Sequence, residues 1–290
     1  MSADNEPDFP PIVMTFAASD PTGGAGLQAD ILTFASMGCH PLSVATAITV
    51  QDTRGVEGIQ ALDAEWVADQ ARCLLEDIPV DAFKIGVLGS VETIAVIAEI
   101  VSDYPDVPLV LDPVLASGRG DELATEEMTD ALRELLLPLT TILTPNTLEA
   151  RRLADADDDD TIEVCAERLL DMGVQFVLVT GTHENTPEVI NTLYDKSGIV
   201  RTDTWARLPG TYHGSGCTLA SAIAAMLANG LDVPEAVREA QDYTWHALKR
   251  AYRPGMGQFL PDRLFWARED DASPADAADG EGASDAQSRH

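Results

Sequence analysis

The chain has 290 residues, 45% of them apolar, with 49 acidic side chains against 18 basic ones and a formal charge of −31. That apolar content supports a full core in one large α/β domain or two small ones. The charge argues against duplex nucleic acid or an anionic membrane surface as partner, because both need a positive face. No apolar run approaches the roughly 18 residues that span a bilayer, and the acidic start MSADNEPDFPP lacks a signal pattern.

Lysine occurs only at Lys84, Lys196 and Lys249. The carboxylate surplus reads as a heavily hydrated surface suited to high salt, where repulsion is screened, a trait of habitat rather than of function. Cys39, Cys73, Cys165 and Cys217 form no CxxC pair or zinc spacing. They read as reduced thiols of a cytoplasmic protein.

Runs rich in Val, Ile and Leu predict strands over Ile12–Ala18, Leu42–Val50, Ala82–Leu88, Pro108–Leu115, Thr141–Thr144 and Phe176–Thr180. Between them, helical periodicity marks Trp66–Asp77, Thr125–Leu136 and Thr161–Met172. This rhythm predicts a mostly parallel central sheet with helices on both faces. After Thr180, VINTLYD, the turn DKSG and IVRTDTWARL predict a β-hairpin at one sheet edge. From Gly216 to about Tyr252 the chain reads as helical, with a stop at Gly230 and a fresh start at Pro234. DADDDD at 155–160 reads as a solvated loop, and the composition collapses to Asp, Ala, Ser and Gly from Glu269. The expected organisation is a flexible segment 1–10, one domain over 11–266, and a disordered acidic tail 267–290.

Ligands of an open parallel sheet gather beyond the carboxyl ends of its strands, and several suggestive stretches fall there. In AASDPTGGAGLQAD, Gly23, Gly24 and Gly26 lead into a helix, serving either a polar ligand or a tight turn. Gln51 ends the second strand as ligand or loop residue, and Lys84 in an apolar strand demands a buried partner or a ligand. Asp112 ends the fourth strand, and Glu149 follows the fifth just inside a helix. Singly they suit a turn and a helix start; together they favour a metal and phosphate site, with Asn146 adding an oxygen. Gly214, Ser215 and Gly216 open a helix whose N–H groups could form an anion hole. The same N-terminal field would favour a thiolate at Cys217, although a buried packing cysteine fits too.

The stretch PIVMTFAASDPTGGAGLQADILTFASMGCHPLSVATAITVQDTRGV resembles the opening of the hydroxymethylpyrimidine/phosphomethylpyrimidine kinases of thiamine biosynthesis. FKIGVLGS, LVLDPVLASGRGDEL, LTPNTLEA, FVLVTGTH and HGSGCTLASAIAA follow in the family's order, so the resemblance covers roughly residues 11 to 266. It implies a ribokinase-like αβα sandwich and Mg²⁺-dependent transfer of the ATP γ-phosphate to 4-amino-5-hydroxymethyl-2-methylpyrimidine, then to its monophosphate. It further implies that Asp30 and Gln51 hydrogen-bond the aminopyrimidine, with Gly23 beside it, and that Val87 lines the pocket where relatives often carry methionine. Asp112 and Glu149 would order Mg²⁺, and Gly214, Ser215, Gly216 and Cys217 would form the anion hole, Cys217 acting as base. Asn146, Thr180 and Gly181 would meet the nucleotide, and the protein would be a homodimer. Relatives commonly show KGG where this chain has Thr180-Gly181-Thr182, which removes a cation near the triphosphate. Lys84 matches the family's KIG lysine without an assigned role.

Three further readings stand beside this one. A pyridoxal kinase shares the fold and the cysteine in its anion hole, and VQDT favours the pyrimidine. A cysteine hydrolase built on Cys217 and His213, or a non-catalytic sensor, leaves the Asp112, Glu149 and Cys217 set unexplained.

Overall fold

The computed structural model describes residues 9–116, 120–182, 184 and 186–268. The expected flexible start and acidic tail lie outside these, apart from residues 9, 10, 267 and 268. Strand β1 (Ile12–Ser19) has a buried interior whose side chains alternate between two cores, Met14 and Phe16 on one face and Val13 on the other. The chain continues through α1 (Gly26–Ser36), β2 (His40–Asp52), β3 (Gly55–Ala61), α2 (Ala64–Leu75), β4 (Ala82–Ile85), α3 (Val91–Ser102), β5 (Leu109–Leu111) and α4 (Glu126–Ala131). Then come β6 (Ile142–Leu143), α5 (Thr147–Leu153), α6 (Ile162–Asp171), β7 (Phe176–Thr180), β8 (Glu188–Asp195), β9 (Gly198–Ala206), α7 (Ser215–Ala228) and α8 (Val233–Lys249).

The strands form one sheet in the order β3-β2-β1-β4-β5-β6-β7-β8-β9. From β2 to β7 all neighbours are parallel, and the edge strands β3, β8 and β9 are antiparallel. Helices α2 to α6 pack on the face of Met14 and Phe16, whereas α1, α7 and α8 pack on the face of Val13. The architecture is the predicted αβα sandwich with its edge hairpin. From β1 the chain passes to β2 on one side and returns to β4 on the other, so a crevice opens at their carboxyl ends.

Three expectations change. A second antiparallel edge lies after Gln51, where no strand is expected: Asp52 pairs with Gly55 across a tight turn, and β3 follows. Strand β3 lacks clean alternation because it is a largely exposed edge, with Glu57, Ile59 and Gln60 facing solvent. Strand β5 stops at Leu111, since Pro113 has no N–H to offer a ladder and Val114 takes a φ of 22°. The helix expected over Thr125–Leu136 is α-helical to Ala131, then widens into a π-helical turn ahead of Pro138. Residues 155–160 are a loop as expected, the four cysteines are unpaired, and no described helix is long and apolar enough to cross a membrane.

Candidate active site

A groove of about 530 Å³ runs along the carboxyl ends of the strands, from Gln51 and Val56 at one end to Thr182 and Arg207 at the other. Asp20, Gln51, Val87, Asp112, Asn146, Glu149, Thr180 and Gly214 to Cys217 all line it.

Helix α7 enters this groove with its N-terminus bare. Its N-cap is Gly214, in the left-handed region at φ 82°, which offers no side-chain cap. The first amides of α7 therefore keep free N–H groups for a ligand. Only glycine fits there, because a Cβ on Gly214 would lie 1.7 Å from the carbonyl oxygen of Gly24. The two glycine-rich loops thus touch. A Cβ on Gly216 would meet nothing nearer than Asp112 Oδ1 at 4.0 Å, so the helix start opens directly toward that carboxylate. An anion held here would face a carboxylate, an arrangement that calls for a bridging cation.

Asp112 has the chemistry for one. Its Oδ2 is buried without a hydrogen-bond partner, and burial raises the carboxyl to about 6 although Lys84 and the Cys217 thiol pull it down. Glu149 beside it is raised to about 7, first by burial and then by Asp112. The helix-start reading of Glu149 is seen directly. It closes a capping box on α5, accepting from the Asn146 and Leu115 amides at 3.0 and 3.2 Å, and it also doubles the negative charge at Asp112. The oxygen expected from Asn146 is already committed, since its Oδ1 accepts from Leu148 N and Glu149 N. Among the described residues no cluster of three or more Asp, Glu, His or Cys is arranged for a metal. The set fits a cation that takes one or two carboxylates and completes its shell with water and phosphate, as Mg²⁺ does.

Cys217 corrects an expectation. Its sulfur accepts from the Gly26 amide, but burial and the Asp112 charge push the thiol up to about 12. The helix field does not win, and the resting group is a thiol that donates to Asp112. Helix α1 corrects another. Asp30 is fully buried, accepts from Thr15 Oγ1 and Ser221 Oγ at 2.7 Å, and pairs with Lys84 Nζ at 3.0 Å. Its acceptors are spent beneath the groove, so it cannot contact a pyrimidine. Alternation along β4 places Lys84 on the α1 and α7 face, and this pair is the buried partner that an apolar strand demanded. Burial opposes the Lys84 charge, and Asp30, Cys217 and Asp112 together more than restore it.

The carboxylate that does reach the groove is Asp20, 3% exposed. Burial opposes its ionisation, but hydrogen bonds from His213, Thr22 and Ala25 hold it at about 2. His213 Nε2 lies 2.9 Å from Asp20 Oδ2 and 3.2 Å from Gln51 Nε2, joining the two glycine loops to the end of β2. His213 is thereby engaged away from the dyad with Cys217 that a hydrolase would use. Gly23 is off the groove wall, its carbonyl accepting from Arg263. At the far end Thr180 lines the groove, but Gly181 does not, and its N–H is spent on Asn191 Oδ1 at 3.1 Å.

Sequence reasoning missed Asp20, which sits in the quoted glycine stretch, and Arg263, which gives no local signal. Arg263 is 4% exposed and donates to Thr218 Oγ1, Gly23 O and Gly24 O at 3.1, 3.2 and 2.5 Å. It ties the C-terminal segment to both glycine loops across more than two hundred residues of chain.

Residues 20–262 match the family model described as phosphomethylpyrimidine kinase. The chain is 39% identical over 263 residues to a hydroxymethylpyrimidine/phosphomethylpyrimidine kinase of Streptomyces coelicolor, covering 89% of this chain and 96% of that one. It is similar to the solved phosphomethylpyrimidine kinase from Clostridium difficile 630, with a TM-score of 0.72, 36% identity, and coverage of 82% and 99%. The pyridoxal kinase from Staphylococcus aureus in complex with AMP-PCP and pyridoxal gives a TM-score of 0.81 at 29% identity, covering 90% and 96%.

Proposed function

The chain belongs to the phosphomethylpyrimidine kinase family, and we infer that it transfers the γ-phosphate of ATP to hydroxymethylpyrimidine and then to the resulting monophosphate. The observation that carries this reading is the meeting of a bare helix N-terminus with an unpartnered, buried Asp112 oxygen at a strand end. Phosphoryl transfer makes little covalent demand on the protein and depends on positioning and charge stabilisation.

The groove divides the work. Gln51 and Val87 receive the pyrimidine ring, with Asp20 and His213 holding the Gln51 end in place. The amides at Ser215, Gly216 and Cys217 face the transferring phosphoryl group. Asp112, with Glu149 beside it, would hold Mg²⁺, whose charge offsets the carboxylates and the phosphate oxygens. Cys217 begins as a thiol, raised first by burial and then by the Asp112 charge, so neutralising that carboxylate eases the loss of its proton. The base role and the cation are therefore one device. Asn146 and Thr180 stand where the nucleotide would lie. The reading includes a homodimer in the cytoplasm, and light scattering checks the former.

The test is product analysis by mass spectrometry with Mg·ATP and with hydroxymethylpyrimidine and pyridoxal competing at high salt. Pyrimidine monophosphate passing to diphosphate is expected; pyridoxal phosphate alone would move the protein to vitamin B6 chemistry. Cys217→Ala is expected to lower kcat about 100-fold, the lower range for a positioned base, with substrate binding intact. Turnover near the wild-type rate would remove the base assignment.

A further inference from the structure

A second cavity, of about 430 Å³, is walled by His246, Lys249, Arg250, Phe265, Trp266 and Arg268, and it shares no residue with the groove. That volume suits a small ligand. No acidic side chain lines it, in a chain where acids outnumber bases by more than two to one. The sequence prepares this place. Residues 243–268 carry six aromatic side chains and five of the 18 lysines and arginines, against the single acid Asp262. The carbonyl end of α8 favours a cation such as Lys249, but it makes no demand for aromatic rings beside it.

Those rings are held in place. Trp266 is 60% exposed, yet its Nε1 donates to Ser36 Oγ at 2.8 Å, and Ser36 donates in turn to Arg263 O at 2.6 Å. With its one polar atom spent, the indole offers solvent only ring surface. Phe265 stacks on His246 at 5.8 Å with 21° between the planes. The cations beside them keep their charge available. Lys249 Nζ lies 5.0 Å from the Trp245 ring and has no ion pair among the described residues. Arg268 spends Nε on the buried Asp262 at 2.6 Å, while its Nη groups make no hydrogen bond among the described residues. Fixed rings and gathered positive charge recognise one kind of molecule: a planar ring with an anionic group attached.

We propose that this pocket binds an aromatic ring carrying phosphate, with the ring on Trp266 and the phosphate between Lys249 and Arg268. The site does not depend on the kinase reading. A nucleotide and a phosphorylated pyrimidine both have this chemistry.

The experiment titrates the full chain with phenyl phosphate, with inorganic phosphate and with phenol, by calorimetry. It compares wild type, Trp266→Leu and Lys249→Met at about 0.1 M and about 1 M salt, over which the Debye length falls from about 10 to about 3 Å. Both side chains are exposed, so neither change threatens the fold. Phenyl phosphate is expected to bind about tenfold more tightly than either half of it. Trp266→Leu is expected to weaken it about fivefold at both salt levels, the scale of one ring contact. Lys249→Met is expected to weaken it about fivefold at low salt and much less at high salt. Inorganic phosphate binding equally well would reduce the pocket to a patch of charge, and affinity unmoved by both variants would place the probe in the groove; either overturns the proposal. ADP and hydroxymethylpyrimidine phosphate are then tested for displacing phenyl phosphate, followed by the NMR signal of its ring. The stronger competitor identifies the source, and displacement by neither also overturns the proposal.

Discussion

Asp20 and Asp112 lie beyond the ends of strands in one groove, both nearly buried, and their surroundings treat them in opposite ways. Asp20 has every acceptor occupied and sits at about 2; Asp112 has an orphaned oxygen and sits at about 6. A buried acceptor with its hydrogen bonds made belongs to the framework. One left without them costs stability until something binds. The difference separates the part of the groove that is finished in the free protein from the part that a ligand completes.

The comparison breaks most severely if a finished charge is undone. Lys84→Met leaves the Asp30 carboxyl buried with only hydroxyl partners, and is expected to cost about 3–5 kcal/mol, read by denaturant unfolding. Replacing the pair together, Lys84→Met with Asp30→Leu, should recover most of that loss. If the double variant is as unstable as the single one, the pair has a role beyond mutual neutralisation.

Asp112→Asn tests the unfinished side. It removes a charge whose burial outweighs the help of Lys84 and the Cys217 thiol and whose Oδ2 has no partner, so the fold should hold or gain in thermal stability while kcat falls about 10²–10³-fold, the scale of losing one aimed electrostatic group. Stability falling together with activity would place Asp112 in the framework beside Asp20.

What the sequence made legible follows the same division. Asp112, Glu149, Gln51 and Cys217 stand next to strand ends or a glycine-rich helix start, and the topology of a parallel sheet alone brings such positions to one edge. Asp30 was misplaced because nothing in GLQAD says which way α1 turns; only the alternation of β4 and the packing of α7 reveal that it faces Lys84 and Ser221. Arg263 was invisible because its partners, Gly23 and Gly24, lie at the opposite end of the chain. Strand β3 was missed because an exposed edge needs no alternating apolar face. The charge state of Cys217 was misjudged for a related reason: the field of a helix start can be read locally, whereas a carboxylate from β5 cannot.

The smallest expected effect carries the sharpest sign. Burial raises the folded carboxyls of Asp112 and Glu149 to about 6 and about 7, above their unfolded values, so between about pH 4 and 7 the native state binds more protons than the unfolded one. Their contribution to stability is therefore greatest in acid and falls as pH rises through that window, the two carboxyls acting as a coupled pair. Asp20 runs the other way: its folded value of about 2 contributes stability above about pH 4 that is lost as pH drops toward 2. Urea unfolding from pH 4 to 8 should thus show a downward slope that flattens in Asp112→Asn and persists in Asp20→Asn. Mg²⁺ should offset the slope at its neutral end, where both carboxylates are ionised, and leave the acid end unmoved. A slope that survives Asp112→Asn unchanged would assign the proton uptake to other carboxyls and leave the orphaned oxygen without a titration of its own.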